Sequence, residues 1–243
     1  MGDSTAKQAR KGEKVVVEML RFPSERYEAE AVISEVLGGR HTSGVDTLTI
    51  MREFDLPEEF SEQVLEESRV VAARFEEEDW TKDRKDLTEE TVITIDPEDA
   101  RDFDDAISLE RLDNGHWRLG VHIADVSHFV RPNTNLDNEA FKRGNSVYLP
   151  DRVIPMLPEL ISNGLASLQP DRVRMTLTAE MEFTSEGIPV STMVVDTAVK
   201  SCRRFTYEEV DDYIDHPAKW RDKLTPDVFN LLGRMLELAM LLR

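Results

Sequence analysis

Thr91-Val92-Ile93-Thr94-Ile95 is an apolar, β-branched stretch that runs directly into Asp96-Pro97-Glu98-Asp99-Ala100-Arg101-Asp102-Phe103-Asp104-Asp105-Ala106. The first segment is typical of a buried strand, and Asp105-Ala106-Ile107-Ser108-Leu109 predicts a second strand after the acidic loop. Four of the five aspartates in this strand–loop–strand segment are candidate ligands: Asp96, Asp102, Asp104 and Asp105. Carboxylates this close in sequence repel one another, so an ordered fold requires positive charge among them.

The acidic loop predicts a divalent metal site. Oxygen ligands at the end of one strand and the start of the next form a rigid, hard donor set of the kind that Mg²⁺ or Mn²⁺ takes. Two alternatives stay open: a loop solvated by water alone, and a calcium-stabilised structural loop. The flanking apolar strands and the lack of Lys in the loop favour the metal site over the solvated loop. The EF-hand pattern, with Gly at position 6 and Glu at position 12, begins at none of the four aspartates.

The whole chain is typical of a globular protein with an ample core. Its 243 residues are 40% hydrophobic and 33% charged, which is enough for one large domain or two ordinary ones. Cys202 is the only cysteine, which excludes a disulfide framework, and the five histidines show no HExxH spacing. No apolar run approaches the roughly 18 residues that a transmembrane helix needs, and residues 1–8 lack the apolar core of a signal peptide. We therefore expect a cytoplasmic protein with no membrane partner.

The net charge of −19 argues against nucleic-acid binding by bulk electrostatics. Much of the excess is local, because residues 52–90 contain 15 acidic and 6 basic side chains. A nucleic-acid partner would therefore need bridging metal ions, a local basic groove or basic segments that this chain lacks.

Hydrophobic periodicity predicts the organisation of the chain. Residues 1–13 are polar, and we expect a disordered tail. Two strands over residues 14–20 and 27–37 are typical of part of a small barrel. Residues 51–90 form an acidic connector with one helix. Strands and short helices follow from Thr91 onward, so the predicted fold class is α+β.

Local signals place the later elements. Asp113-Asn114-Gly115-His116 predicts a β-hairpin with a type I′ turn, and Ser185-Glu186-Gly187 predicts a second hairpin. Thr206 and Glu209 form a capping box that begins a helix. A long apolar helix over residues 227–243 runs to the last residue without a stop signal, and we expect its leucine-rich face to be exposed and prone to aggregation.

The aspartate loop resembles the signature loop of the ribonuclease II and ribonuclease R (RNB) family, which contains processive 3′→5′ exoribonucleases. Four further segments are similar to family segments and follow in the same order: His122-Ile123-Ala124-Asp125-Val126-Ser127, residues 143–150, residues 154–158 and residues 162–168. The resemblance is strong over residues 91–243, and the spacing together with Arg101 favours the ribonuclease R branch. Residues 14–38 resemble the last part of the family's second cold-shock domain, which is an OB-type barrel.

The resemblance implies a fold in two parts. Residues 14–50 would be a partial cold-shock, OB-like β-barrel segment, and residues 51–90 would be the acidic connector. Residues 91–243 would be the N-terminal part of a mixed α/β RNB catalytic domain that is C-terminally incomplete. An arginine that binds the scissile phosphate and a C-terminal S1 domain would lie outside this chain. Because the loss of such an arginine costs orders of magnitude in rate, we expect the 243-residue chain alone to be inactive or nearly so.

By the same resemblance, the four aspartates would hold two Mg²⁺ ions, with Mn²⁺ as an alternative. Asp96 and Asp105 would help to bind one ion, while Asp102 and Asp104 would orient the second ion and the attacking water. Asp104 is the position at which we expect replacement to be least tolerated. Two divalent ions offset the charge of four carboxylates and let a phosphate approach an acidic site.

Two tyrosines are candidate RNA-binding residues by resemblance. Tyr148 would stack on the terminal bases of the substrate, and Tyr207 would contact the substrate near its sugar and favour RNA. The alternative for Tyr148 is a core tyrosine between Val147 and Leu149. The alternative for Tyr207 is a packing residue at a helix N-terminus.

The resemblance implies part of an exoribonuclease that hydrolyses single-stranded RNA to 5′-mononucleotides, without a small-molecule cofactor and as a monomer in its full-length form. The alternative is a noncatalytic RNA-binding or regulatory relative. Four intact aspartates favour the enzyme, because a relative freed from catalysis does not need them. His122 and His128 lie on apolar stretches, and we expect both to be structural histidines rather than metal ligands.

Overall fold

The structure, a computed structural model, describes residues 9–76 and 79–243. Residues 1–8, which make up most of the predicted tail, and Glu77 and Glu78 of the acidic connector lie outside the described residues. No helix in this described part of the chain is long and apolar enough to cross a membrane.

The described residues form nine β-strands and six α-helices, which confirms the predicted α+β class. The strands are β1 (Glu13–Arg21), β2 (Glu30–Gly39), β3 (Lys85–Asp96), β4 (Asp105–Arg111), β5 (Trp117–Ala124), β6 (Val147–Leu149), β7 (Arg152–Ile154), β8 (Val173–Phe183) and β9 (Pro189–Thr206). The α-helices are α1 (Val45–Glu53), α2 (Glu62–Glu76), α3 (Val126–Phe129), α4 (Asn135–Arg143), α5 (Tyr207–Asp215) and α6 (Pro226–Leu242). A π-helical turn covers Leu160–Leu165, and 3₁₀ turns cover Trp80–Lys82 and Pro217–Lys219.

The chain divides into two compact units, the first of which comprises the described residues up to Ser61 and Glu139–Met156. In this unit β1 and β2 pair antiparallel, which confirms the two strands predicted here. Helix α1 was not predicted from the sequence. Strands β6 and β7 form a short antiparallel hairpin in which Tyr148 is opposite Val153.

The second unit, Glu62–Asn138 with Leu157–Arg243, contains a closed five-stranded barrel in the order β3-β4-β5-β8-β9. Four neighbouring pairs are antiparallel, and the β3–β9 pair that closes the barrel is parallel. Asp96 at the end of β3 lies opposite Thr206 at the end of β9. The acidic loop therefore begins at the same end of the barrel as helix α5.

The β4–β5 hairpin forms where it was predicted, but its turn differs. The Gly115 N–H donates to the Leu112 carbonyl over 2.9 Å, and Gly115 has a φ of +81°. A type I′ turn needs a positive φ at both central residues, and Asn114 does not have one. The glycine therefore provides the single left-handed residue at the end of the turn, and the type I′ prediction is wrong.

Helix α6 forms as predicted, but its main apolar face is not exposed. Its side chains Val228, Leu231, Leu232 and Leu238 are buried in one core with barrel residues such as Trp117 and Phe205. Leu231 is 0% exposed and Leu232 is 3% exposed. Only the last turn leaves large apolar side chains at the surface: Met240, Leu241 and Leu242. The expected exposed leucine face is therefore wrong for most of the helix, because the barrel covers it.

Candidate metal centre

The acidic loop joins β3 to β4, and backbone hydrogen bonds fix both of its ends. Near the start, the Ala100 N–H donates to the Pro97 carbonyl over 3.1 Å. Near the end, the Asp104 carbonyl accepts from the Ala124 N–H over 2.8 Å, and Asp105 then begins β4. The four aspartates thus lie on a strand end, a braced loop and a strand start, which confirms the predicted strand–loop–strand arrangement.

Phe103 anchors the middle of the loop in the protein interior. Its ring is 9% exposed, its N–H donates to Ser167 Oγ over 3.0 Å, and its carbonyl accepts from the Leu168 N–H over 2.9 Å. Ser167 Oγ also donates to the Arg101 carbonyl over 3.1 Å. One buried serine therefore holds the loop backbone on both sides of Asp102.

Arg174 supports the segment that carries Ser167. Its Nε donates to the Ser167 carbonyl over 2.8 Å, and its Nη2 donates to the Gly164 carbonyl over 2.9 Å. Burial lowers the pKa of Arg174, and nearby Arg172 adds to this effect. A cation that bonds only carbonyl oxygens gains directional hydrogen bonds without adding a carboxylate near the acidic loop.

Asp96 is the most buried of the four aspartates, with 7% of its surface exposed. Burial raises the pKa of Asp96, and the charges of Asp105 and Asp102 raise it further. The Thr94 hydroxyl and the positive charge of Arg204 act in the opposite direction. The carboxylate is therefore held close to other negative groups inside a poorly solvated strand end.

Asp104 is exposed at the surface of the loop but is crowded by like charges. Partial desolvation raises the pKa of Asp104, and Asp102, Asp105 and Asp96 each raise it further. All the resolved influences on this carboxylate act in one direction. The loop therefore concentrates negative charge at Asp104.

The donor set fits a hard divalent cation. Asp96 Oδ2 is buried and has no hydrogen-bond partner, which is costly for a carboxylate unless a cation or another donor binds it. The four carboxylates also provide the oxygen donors that Mg²⁺ and Mn²⁺ prefer. Among the described residues, no three His, Cys, Asp or Glu side chains are already arranged around one point, so ion binding requires the loop carboxylates to turn toward it.

The two tyrosines lie in different units. Tyr207 is the first residue of α5, directly after Thr206, and its side chain is 54% exposed. It therefore lies at the same barrel end as Asp96, which is opposite Thr206. Tyr148 lies on β6 in the first unit and is 69% exposed, so the alternative of a core tyrosine is wrong.

His122 is a structural histidine, as predicted. It is completely buried, with Nδ1 2.8 Å from Thr178 Oγ1 and Nε2 3.0 Å from Ser108 Oγ. Burial lowers the pKa of His122 to about 4, against a weak attraction from Glu180. Both ring nitrogens are engaged inside the barrel, which leaves neither of them for a metal ion.

Asp125 and His128 belong to a second polar cluster in this unit. Arg84 forms a buried ion pair with Asp125, and its Nη2 lies 3.2 Å from His128 Nδ1. Asp125 also accepts from the His128 N–H over 3.2 Å and caps helix α3. Asp125 therefore has a structural role at the start of α3.

Sequence reasoning missed Arg204 and did not single out Ser167. Ser167 lies within the 162–168 segment that was noted as a motif, but its hydroxyl gave no local signal. Arg204 precedes the Thr206 cap by two residues and contacts the acidic loop only because β3 and β9 are parallel neighbours. A predicted parallel pairing would have found it.

Two domain families match the chain. Residues 84–243 match the RNB domain, and residues 2–61 match the cold shock domain. Ribonuclease R of Thermotoga maritima is 43% identical over 237 residues, which cover 97% of this chain and 33% of the relative. The chain thus spans about a third of the length of this curated relative.

Solved structures show the same fold. Mycoplasma genitalium RNase R in complex with ribose methylated single-stranded RNA is 26% identical, with a TM-score of 0.87 over 99% of this chain and 37% of that chain. Yeast Ssd1, described as a pseudonuclease, is 17% identical, with a TM-score of 0.68 over 95% of this chain and 28% of that chain. The second likeness concerns the fold alone.

Proposed function

Because the chain belongs to the RNB family, we propose that it is the metal-binding part of a 3′→5′ exoribonuclease that hydrolyses single-stranded RNA to 5′-mononucleotides. The match over residues 84–243 confirms the resemblance drawn from the acidic loop, and the relatives named ribonuclease R support ribonuclease activity. Direction, product and use of two metal ions rest on the family resemblance and on the chemistry of the site.

The buried carboxylate of Asp96 carries the proposal. Its Oδ2 has no partner, and its neighbours within the loop are further carboxylates. A fold that keeps such a group at a braced strand end loses stability unless a cation binds there. The arrangement therefore supports a cation site, and catalysis at that site rests on the family resemblance.

The four aspartates have distinct proposed roles. Asp96 and Asp105 hold one Mg²⁺ ion, and Asp102 and Asp104 hold the second ion and orient the water, with Mn²⁺ fitting the same oxygens. When bound, such a pair of ions activates water and offsets charge on the phosphate. The chain itself holds the loop backbone in place before the substrate arrives, because Ser167 bonds it on both sides of Asp102.

The two tyrosines supply the proposed contacts to RNA. Tyr207 is exposed beside the barrel end that carries Asp96, which suits a contact near the sugar. Tyr148 presents an exposed ring for stacking on the terminal bases, which is tolerant of sequence. Such contacts suit a chain with a net charge of −19, because they do not depend on bulk attraction to phosphate.

We assign residues 14–50 to a cold-shock, OB-like segment, residues 51–90 to an acidic connector and residues 91–243 to the N-terminal part of the catalytic domain. The full-length protein is proposed to act as a monomer without a small-molecule cofactor. The remaining length of the relatives supplies the rest of the substrate channel in this proposal.

The first test is metal binding by the 243-residue chain. Mn²⁺ titration followed by the electron paramagnetic resonance (EPR) signal of free ion is expected to show saturable binding of two ions in the wild type. Asp104→Asn should weaken that binding by about 10-fold or more. Asp99→Asn, an exposed acidic neighbour in the same loop, is the matched control and should bind as the wild type does. Absence of saturable binding in the wild type would overturn the metal site.

The second test separates an enzyme from a noncatalytic relative. In a chimera, this chain replaces the matching 237-residue segment of the Thermotoga maritima ribonuclease R. With Mg²⁺ and 5′-labelled single-stranded RNA, the chimera is expected to shorten RNA from the 3′ end and release 5′-mononucleotides, and Asp104→Asn should abolish this. A folded chimera that binds Mn²⁺ and RNA without hydrolysis would establish the noncatalytic alternative. Robust decay by the 243-residue chain alone would contradict the expectation that it is inactive.

A further inference from the structure

Three unpartnered polar atoms cluster behind the metal centre. Five buried side-chain polar atoms in the described residues lack a hydrogen-bond partner, and three of them are Thr94 Oγ1, Asp96 Oδ2 and Arg204 Nε. Such atoms are rare in folded proteins, and each calls for a physical explanation. Their concentration at one strand end indicates a single cause.

Strand register places these three residues together. In the parallel β3–β9 pair, Thr94 is opposite Arg204 and Asp96 is opposite Thr206. Alternate residues of a strand share one face of the sheet, so Thr94 and Asp96 are on the same face. Thr94 is 0% exposed, so its hydroxyl is out of contact with bulk water. The Thr94 hydroxyl and the Arg204 side chain therefore form the layer next to the Asp96 carboxylate.

Arg204 also contacts the acidic loop on both sides of its turn. Its Nη2 donates to the Pro97 carbonyl and, over 3.0 Å, to the Glu98 carbonyl. Its guanidinium carbon lies 5.1 Å from the centroid of the Phe103 ring, within range of a cation–π contact. One side chain therefore joins the residues that follow Asp96 to the residue between Asp102 and Asp104.

We propose that Thr94 and Arg204 are positioning residues that orient the Asp96 carboxylate and hold the acidic loop in the geometry that accepts a divalent ion. This inference rests on the proposed metal site and adds two residues that would not touch the ion or the RNA. Arg204 is suited to the task because a planar guanidinium holds its N–H donors in a rigid fork and can lie against a ring, whereas an ammonium is a compact, strongly hydrated point charge. Thr94 offers one hydroxyl to the Asp96 carboxylate, because it lies two residues before Asp96 on the same face of β3.

Thr94→Val is the sharpest variant, because it keeps the β-branched shape and removes only the hydroxyl. In Mn²⁺ titration of the 243-residue chain, it is expected to raise the Kd by about 10-fold, as loss of an outer contact to a metal ligand does. Thr91→Val, a half-buried residue of the same strand, is the matched control and should leave the Kd unchanged. Thr94→Ser keeps the hydroxyl, so its Kd for Mn²⁺ should stay within about 2-fold of the wild-type value, in contrast to the larger rise expected for Thr94→Val.

Arg204→Met and Arg204→Lys test whether the Arg204 side chain holds the acidic loop in place. Both variants should speed amide hydrogen exchange across residues 97–104, and Lys should restore less than half of the lost protection because its flexible point charge lacks the rigid planar fork of the guanidinium. The EPR line shape of bound Mn²⁺ should also change in both, which a remote loss of stability would not cause.

The outcomes separate this inference from the proposed function. If the wild type binds no Mn²⁺, the proposed metal site fails, and the positioning roles fail with it. If Asp104→Asn weakens binding while Thr94→Val and Arg204→Met bind as the wild type does, the metal site stands and the positioning roles are overturned. Thr94→Val could prove unfolded by circular dichroism. In that case a rise of about 10-fold in the Kd of folded Thr94→Ser would overturn the role of the hydroxyl, and an unchanged Kd would support it.

Discussion

Asp96 and Thr206 lie opposite each other in the parallel pairing of β3 with β9. Asp96 is the last residue of β3 and enters the acidic loop, whereas Thr206 is the last residue of β9 and caps helix α5. This one register pair therefore fixes the acidic loop and the start of α5, including Tyr207, at the same end of the barrel. Candidate metal ligands and a candidate RNA contact are held by a shared rigid frame.

We predict that Thr206→Ala destabilises the chain by about 1 kcal/mol. Thr206 Oγ1 accepts from the Glu209 N–H over 3.2 Å, and the Glu209 carboxylate accepts from the Thr206 N–H over 3.0 Å. The substitution leaves one N–H at the helix start without its acceptor. Urea unfolding followed by circular dichroism measures the change in unfolding free energy.

Thr225→Ala is the matched control for this cap. Thr225 precedes α6 in the same way, but its side chain makes no capping hydrogen bond. Thr225→Ala should therefore lower the unfolding free energy clearly less than Thr206→Ala does. Its value should stay within a few tenths of a kcal/mol of the wild type. Equal losses at the two positions would mean that the capping box adds nothing.

We predict that Arg84→Met lowers the free energy of unfolding by about 3 kcal/mol, because it leaves the Asp125 carboxylate buried without its cation. The two side chains are only 10% and 13% exposed, and Arg84 also bonds the carbonyls of Thr176 and Thr197. Although burial opposes ionisation, hydrogen bonds from Ser127 and Arg84 hold the pKa of Asp125 below its usual value. The stability from this pair is thus present above the ordinary Asp pKa and is lost as pH falls through the lowered one.

Arg118→Met tests whether burial is the cause. Arg118 pairs with Glu110 at the surface, where the side chains are 45% and 53% exposed. Exposed ion pairs contribute about 1 kcal/mol or less to stability, so the unfolding free energy of this variant should stay close to that of the wild type. A loss as large as that of Arg84→Met would contradict the argument from burial.

The sequence predicted the acidic loop well because its signals are local. The β-branched stretch 91–95, the aspartates and the capping box of Thr206 and Glu209 each depend on neighbours within a few residues. The same holds for the hairpin at Asn114-Gly115, although its turn type differed. Local patterns therefore gave both the place of the candidate ligands and the strands that carry them.

Contacts between distant segments could not be predicted in the same way. Arg204 reaches the Glu98 carbonyl across 106 residues of chain, and Ser167 reaches Phe103 across 64. Likewise, the burial of Leu231 follows from the position of α6 against the barrel, which periodicity alone does not give. The supporting residues of the site depend on barrel closure, and a single sequence carries no direct signal for it.

His122 should make the chain sensitive to mild acid. Its pKa is lowered to about 4 by burial, whereas an unfolded histidine titrates near 6.5. Between these values the unfolded state binds the extra proton, so stability is complete above about pH 6.5 and falls toward pH 4, by up to about 3 kcal/mol. His122→Asn should be less stable at pH 7.5 but should lose less stability between pH 7.5 and pH 5. Parallel pH profiles for the two proteins, measured by urea unfolding, would rule this out.

Asp104→Asn should stabilise the metal-free chain and reduce its stabilisation by metal. Desolvation and three neighbouring carboxylates raise the pKa of Asp104, so its charge opposes folding at neutral pH and the neutral amide removes that repulsion. With Mn²⁺ at about 100 times its Kd, the wild type should gain about 2.7 kcal/mol for each ion that binds, and a site weakened about 10-fold in the variant should gain only about 1.4 kcal/mol.

Thermal unfolding in EDTA and in Mn²⁺ measures both effects on one pair of proteins. Asp99→Asn, which changes the same net charge in the same loop, should follow the wild type in Mn²⁺. If Asp104→Asn is less stable than the wild type in EDTA, Asp104 supports the fold, and the argument from repulsion fails. If it is more stable in EDTA but gains as much from Mn²⁺ as the wild type does, the repulsion is real and the ion is bound by other residues. Only a crossing of the two stabilities, with the variant ahead in EDTA and behind in Mn²⁺, fits a carboxylate kept for a metal ion at the expense of the fold.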